Sequence, residues 1–330
     1  MALTRRPAVL VTRILPEEAL RRIAEACDVD LWQGPLAMPR QELLGRVAGK
    51  AGIVALLTDR IDEELLDAAG PGLRVVANYA VGYDNIDVDA CSCRGVLVTN
   101  TPDVLTESTA DMAWALMLAA SRRVAEGDRF VRSAEPWIWD PGMMLGWDVH
   151  HKTLGLVGFG RIAQAVAQRA LGFGMRVVYQ SRHAAPAGIE RRLGAARLDL
   201  DALLAEADVV SLHVPLTPET RHLIGAAQLR RMKPTAVLVN TARGPVVDEA
   251  ALVEALRRGD IFAAGLDVYE REPEVTAELR GLPNVVLVPH LGSASVETRL
   301  AMGMLAAENL LAALAGRRPR ALVNGEAWRG

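Results

Sequence analysis

Short β-branched runs, many of them apolar along their whole length, alternate through the chain with stretches rich in alanine and leucine. The runs cover 8–12, 52–57, 75–78, 97–100, 153–157, 176–179, 209–212, 236–240, 263–266 and 285–287. A strand with one face in water alternates apolar and polar residues. These runs do not alternate, which predicts strands buried on both faces of a parallel sheet. Helical stretches at 17–26, 61–68, 161–171 and 249–258 stand between them. Strand and helix in alternation give βαβ units, so the expected fold is α/β with doubly wound, Rossmann-like parallel sheets.

The chain's 330 residues suffice for two domains of ordinary size. A seam is visible at Asn100-Thr101-Pro102, after which the pattern predicts one long helix over 106–123. Next comes a proline- and glycine-bearing loop that holds Trp137, Trp139 and Trp147. So much aromatic area in a loop predicts that it is buried against something.

Composition excludes several classes. Hydrophobic residues are 51% and charged residues 23%, which argues against disorder. With 37 basic and 40 acidic side chains the net charge is −3, so nothing draws the chain as a whole to nucleic acid or to a membrane surface. No run is long and apolar enough to span a bilayer, and the N-terminal apolar stretch, interrupted by Arg13, does not read as a signal peptide. Cys27, Cys91 and Cys93 are too few and too oddly spaced for a disulfide framework or a metal site. Reduced thiols, no metal and a cytoplasmic location are the expectation.

The sharpest local signal is Gly158-x-Gly160-x-x-Ala163, directly after an apolar run and at the start of a helical stretch. Gly158 permits the tight turn, Gly160 the approach of a pyrophosphate, and Ala163 the close packing of helix on strand. The N–H groups of the helix start, at Arg161 and Ile162, suit the phosphates. Phe159 stands inside the same turn. The next strand ends in Ser181-Arg182-His183, where an NAD site usually has an acid for the ribose hydroxyls. A guanidinium binds a 2′-phosphate that a carboxylate would repel, which predicts NADPH over NADH, with NAD possible.

Beyond the fingerprint come His213-Val-Pro-Leu-Thr-Pro-Glu-Thr, Asn240-Thr-Ala-Arg-Gly, Gly265-Leu-Asp-Val-Tyr and Pro289-His-Leu-Gly-Ser, in that order. This series resembles the D-isomer-specific 2-hydroxyacid dehydrogenases over nearly the whole chain. Leu56-Leu57-Thr58-Asp59, the 101–106 segment, the Trp-x-Trp-x-Pro loop and Ser181-Arg182 make it most similar to the glyoxylate/hydroxypyruvate reductase branch. The resemblance implies a substrate domain of 1–102 plus 291–330, with a dinucleotide-binding domain of 103–290 inserted into it, and a homodimer. It implies reduction of a small 2-keto acid to the D-2-hydroxy acid.

The chemistry of that reaction fits residues present here. Arg243 suits an anchor for the substrate carboxylate, since a planar guanidinium holds it by forked hydrogen bonds. His290 suits the proton donor, and Glu272 suits the group that fixes its tautomer and favours its charged form. The family's catalytic Arg, Glu and His fall on these three positions. By the same resemblance, Leu57, Val81, Gly82, Ser293 and Trp139 would meet the substrate, Trp139 from the partner subunit. Thr106, Pro215, Thr220, Thr241, Ala242, Asp267, His290 and Gly292 would join the fingerprint and the Ser181–His183 segment around the cofactor.

Glu272 stands where a formate-oxidising relative has glutamine, and Val81 where a phosphite-oxidising relative has lysine, which sets both aside. A 2-ketogluconate reductase or a D-3-phosphoglycerate dehydrogenase-like enzyme shares most of these motifs. A dinucleotide-sensing protein that binds a partner without catalysis is a more remote alternative.

Overall fold

The computed structural model describes residues 6–329; Met1–Arg5, part of the stretch read above as no signal peptide, and Gly330 lie outside the described residues. The chain divides into two compact units, Met1–Leu105 with Ser295–Gly330, and Thr106–Ala294.

In the first unit, strands β1 (Ala8–Val11), β2 (Asp28–Leu31), β3 (Gly52–Ala55), β4 (Val75–Asn78) and β5 (Leu97–Thr99) form a parallel sheet of order β2-β1-β3-β4-β5. Leu10, Ile53, Val76 and Val98 face one way and pack with Leu43, Leu65 and Cys91. The helix Val296–Leu314 covers β3, β4 and β5 and crosses the helix Glu17–Ala24. A Cβ on Gly303 would stand 2.9 Å from Cβ of Ala19, so glycine permits that crossing. The C-terminal segment then returns to β5. Thr99 and Leu322 form an antiparallel bridge, and Asn324 accepts from the Val98 N–H and donates to the Val96 carbonyl.

The second unit holds β6 (Thr153–Val157), β7 (Arg176–Gln180), β8 (Ala195–Arg197), β9 (Val209–Leu212), β10 (Val237–Asn240), β11 (Ala263–Leu266) and β12 (Val285–Leu287). They pair in parallel, in the order β12-β11-β10-β9-β6-β7-β8. Successive residues go to opposite cores: Leu154, Leu156, Val177 and Val239 to one, Val157, Val178 and Leu238 to the other. Burial on both faces is the reason these strands read as unbroken apolar runs.

Three features were not legible in the sequence. The helix expected over 106–123 is present as Thr106–Ser121, but a second helix, Val124–Arg132, follows it. The chain breaks at Arg123, whose φ of +54° lies in the left-handed region that ends α-helices. Strands β2 and β8 carry no apolar run: Asp28-Val-Asp-Leu and Ala-Ala-Arg are edge strands with charge on them. The tryptophan loop is not buried within the chain, since Trp139 is 76% exposed and Ile138 83%. Cys91 and Cys93 lie in the helix Val88–Cys93, and all three cysteines are free thiols.

Candidate active site

The registers of the second sheet align the C-terminal ends of its last three strands: Asn240 stands beside Leu266, and Leu266 beside Leu287. Arg243, Glu272 and His290 all follow those ends within one short loop each. Ligands of doubly wound sheets bind beyond the carboxyl ends of the strands.

His290 and Glu272 are in direct contact, with Nδ1 of the imidazole 2.7 Å from Oε2 of the carboxylate. The other carboxylate oxygen, Oε1, accepts from the Tyr269 N–H at 3.0 Å. Glu272 is therefore held at one end by backbone and engages the imidazole with the other. Both side chains are about one-quarter exposed, open enough to meet a small ligand. His290 has φ +54°. That conformation costs a non-glycine residue about 1–3 kcal/mol and persists only where surroundings impose it. They do so here: the His290 N–H donates to the carbonyls of Asp267 and Val288. The next two N–H groups, of Leu291 and Gly292, donate to the Asp267 carboxylate at 2.5 and 2.8 Å. Asp267 is buried, and that burial pushes its carboxyl above the usual range against the opposing effect of these N–H groups and of the His290 charge.

Gly244 joins the Arg243 loop to the Glu272 loop. A Cβ there would stand 1.9 Å from the carbonyl carbon and oxygen of Tyr269. The backbones of the two loops touch, and no other residue fits. Asn240 braces the same turn, accepting from the Ala242 N–H and donating to the Arg243 carbonyl. The Arg243 guanidinium donates to the Ala242 carbonyl at 2.9 Å, and the side chain is partly buried. Tyr269 donates its hydroxyl to the Val288 carbonyl, and its phenol is pushed up to about 12 by burial and by the charges of Asp267 and Glu272. It stays a neutral strut.

The glycine turn fits a dinucleotide on observations of its own. Gly158 has φ +89°, and a Cβ on it would stand 2.5 Å from the His213 carbonyl oxygen. Gly160 opens the helix Arg161–Ala170 with no side-chain cap, and a Cβ there would meet nothing within 4 Å. Its open face and uncapped N–H groups leave room and donors for a phosphate. Ala163 is fully buried. Phe159 stacks on Tyr179 at 4.0 Å, which pins the turn to β7. Oγ1 of Thr241 is buried and has no hydrogen-bond partner among the described residues. His213 bonds Ser211, and desolvation pushes its imidazole down to about 4, so it presents a neutral ring. Thr220 closes the turn after β9 by donating to the Pro215 carbonyl.

Ser181, Arg182 and His183 follow β7. The Ser181 hydroxyl donates to the His183 carbonyl, and both Arg182 and His183 are exposed. Arg197 on β8 donates to the carbonyls of Ser181 and Arg182, which fixes the bend from behind. Thr106 begins the helix Thr106–Ser121, and the Ser108 hydroxyl donates to the Gly292 carbonyl. Ser293 is half-buried beside it in sequence.

Leu57, Val81 and Gly82 belong to the first unit. Leu57 sits in a turn closed by the buried Asp59, which accepts from the Leu56 N–H at 2.7 Å and from the Thr12 hydroxyl at 2.5 Å. The side chains of Asp59, Asn78 and Asn85 hold these turns, a role the sequence does not show; Asp59 stands out there only within the Leu56–Asp59 motif, and Asn78 only as the polar end of an apolar run.

A family model described as D-isomer specific 2-hydroxyacid dehydrogenase, NAD binding domain, matches residues 114–292. A glyoxylate reductase of Thermococcus onnurineus is 52% identical over 326 residues, 97% of each chain. Among solved structures, a Thermus thermophilus protein is 51% identical, with a TM-score of 0.90 over 96% of this chain and 99% of that one. An NADPH-dependent glyoxylate/hydroxypyruvate reductase from Sinorhizobium meliloti, solved with NADP and malonate, is 34% identical, with a TM-score of 0.83 over 98% of each chain.

Proposed function

The chain belongs to the D-isomer-specific 2-hydroxyacid dehydrogenase family, and on that footing we propose that it reduces small 2-keto acids, glyoxylate and hydroxypyruvate, to D-2-hydroxy acids with NADPH in preference to NADH. The contact between Glu272 and Nδ1 of His290 carries this reading. In the proposed arrangement Thr106–Ala294 is the dinucleotide domain, and Leu57, Val81 and Gly82 of the other unit receive the substrate carboxylate.

Bound nicotinamide supplies a hydride to the carbonyl carbon. The protein supplies the proton. With Nδ1–H directed at Glu272, the transferable proton of the imidazolium is on Nε2, and it passes to the carbonyl oxygen. Glu272, by accepting from Nδ1, fixes the tautomer and orientation of the ring before and after transfer. Arg243 holds the substrate carboxylate and polarises the carbonyl, and Ser293 lines the site. The glycine turn with Phe159, Arg161 and Ile162 receives the pyrophosphate, helped by Thr106. Pro215 and Thr220 flank the adenosine. Thr241, Ala242, Asp267 and Gly292 meet the nicotinamide end.

The test is cofactor oxidation with NADPH and NADH, each crossed with glyoxylate, hydroxypyruvate, pyruvate and 2-ketogluconate. Fast turnover of the two small acids with NADPH is expected. Turnover chiefly of 2-ketogluconate would move the substrate, and no turnover on any pair would remove the reductase reading. Arg182→Ala is expected to raise the KM for NADPH about tenfold and leave that for NADH within about twofold, as loss of one charge-assisted contact requires. Equal change for both would defeat the 2′-phosphate assignment.

Trp137, Ile138 and Trp139 are more than half exposed on one loop, an apolar surface that a second copy would cover. The proposed homodimer, with Trp139 reaching the partner's substrate, predicts a sedimentation-equilibrium mass of twice 35.5 kDa. A single-chain mass at micromolar concentration would exclude it.

A further inference from the structure

Two carboxamides and one backbone N–H hold successive carbonyls of the 79–85 loop in the first unit. Asn100 Nδ2 donates to the Val81 carbonyl and Asn78 Nδ2 to the Gly82 carbonyl, both at 2.8 Å. The Thr101 N–H donates to the Ala80 carbonyl at 2.9 Å. Asn85 Nδ2 reaches the carbonyls of Leu56 and Asp59, at 3.1 and 3.0 Å, and Oδ1 of Asn78 at 3.4 Å. Asn78 is fully buried, the last residue of β4. One network thus grips both the Leu57 turn and the Val81–Gly82 loop.

Peptide geometry turns this grip into a direction. In a trans peptide the C=O of one residue and the N–H of the next point to opposite sides, and the only cis bond among the described residues is Glu272–Pro273. With three successive carbonyls held, the N–H groups of Val81, Gly82 and Tyr83 each point away from the group that holds the preceding carbonyl. Among the described residues those three N–H groups donate to no protein acceptor. Val81 and Gly82 are half-buried and Tyr83 is exposed, so a ligand can reach them. A run of free, outward N–H groups is the make-up of an anion-binding nest.

We propose that Asn78 is a positioning residue for the substrate carboxylate: by fixing the Gly82 carbonyl it aims the Tyr83 N–H, which joins those of Val81 and Gly82 as a third donor to that carboxylate. This rests on the reductase reading of the site. Asn78 touches no substrate itself; it acts through the peptide it holds.

The test pairs kinetics with a direct readout on the unaltered chain. In Asn78→Ser the shorter side chain no longer reaches the Gly82 carbonyl. The KM for glyoxylate is expected to rise about tenfold to a hundredfold, with kcat changed much less. Preference for glyoxylate over glyoxal, the same carbonyl without a carboxylate, falls about tenfold or more. The affinity for NADPH stays within about twofold. Asn78→Asp, which keeps the shape but replaces the donor with an acceptor, is read in the same way. A folded variant with the wild-type KM and the wild-type preference would overturn the proposal. In the wild-type holoenzyme, oxamate, a carboxylate shaped like a 2-keto acid that is not reduced, is expected to shift the 15N–1H resonances of Val81, Gly82 and Tyr83. Oxamate that competes with substrate yet leaves the Tyr83 amide unmoved would also overturn it. A wild-type chain that reduces no 2-keto acid, while oxamate moves those amides, would remove the reductase reading and leave the cradle standing.

Discussion

Replacing His290 with alanine is expected to lower kcat for 2-keto acid reduction by about 100-fold to 10,000-fold, the usual worth of a positioned proton donor. Cofactor affinity should stay within about twofold, because His290 would meet only the nicotinamide end while the glycine turn follows β6, four strands from β12 in the sheet. The substitution has a conformational side that must be separated from the chemical one. His290 has φ +54°, a region that alanine adopts reluctantly and asparagine more readily. Asparagine there keeps the backbone but cannot deliver the proton. His290→Asn should therefore fold at least as well as His290→Ala and be as slow. Full turnover in His290→Asn would sink the assignment. Slow turnover in His290→Ala alone would mean that the loop conformation, and not the imidazole, had been lost.

Gly244→Ala is expected to damage stability and catalysis together, although it adds one methyl group. The added carbon would lie 1.9 Å from two backbone atoms of Tyr269 and 2.5 Å from the Glu270 nitrogen. Backbone cannot rotate aside as a flexible side chain can. One of the two loops must move, and they carry Arg243 and Glu272. Overpacking of this kind costs about 1–3 kcal/mol or more, and a domain of this size then loses roughly 2–4 °C of Tm per kcal/mol. A displacement near 1 Å at a catalytic group can cost about 100-fold in kcat/KM. Gly188→Ala is the control, because a methyl group there meets nothing within 4 Å and helix propensity favours alanine. Thermal melting and steady-state kinetics on both variants decide the matter. A Gly244→Ala enzyme with the Tm and kcat/KM of the control would mean that the loops do not need their close approach.

What could be read from the sequence divides along physical lines. The strands at 75–78, 153–157, 209–212, 263–266 and 285–287 have the bounds expected for them, because burial on both faces leaves an unbroken apolar signature. Strands β2 and β8 escaped because an edge strand tolerates Asp28, Asp30 and Arg197. The helix Val124–Arg132 escaped because none of its residues is buried, so it leaves no core-facing stripe of the usual kind. At the site, order and context singled out Glu272 and His290, and the structure brings them together. The close approach at Gly244 and the grip of Asn78 on Gly82 were not legible. Each depends on which backbone atom stands opposite in space, which a single chain of letters does not carry.

The return of the C-terminal segment to β5 also bears on how the molecule is made. Synthesis runs from the N-terminus, so Ala8–Thr99 emerges before Thr106–Ala294, yet its sheet lacks the helix Val296–Leu314 and the Asn324 contacts until Asn324 has left the ribosome. The unit Thr106–Ala294 is complete in sequence well before that. A domain whose parts are all present can fold while the rest is being made. Of the two units, the one whose strands are translated earlier is then the later to close, and in that interval β5 presents an unpaired edge to other nascent chains. Removal of residues 319–329 would spare the helix but leave the β5 edge without Leu322 and Asn324.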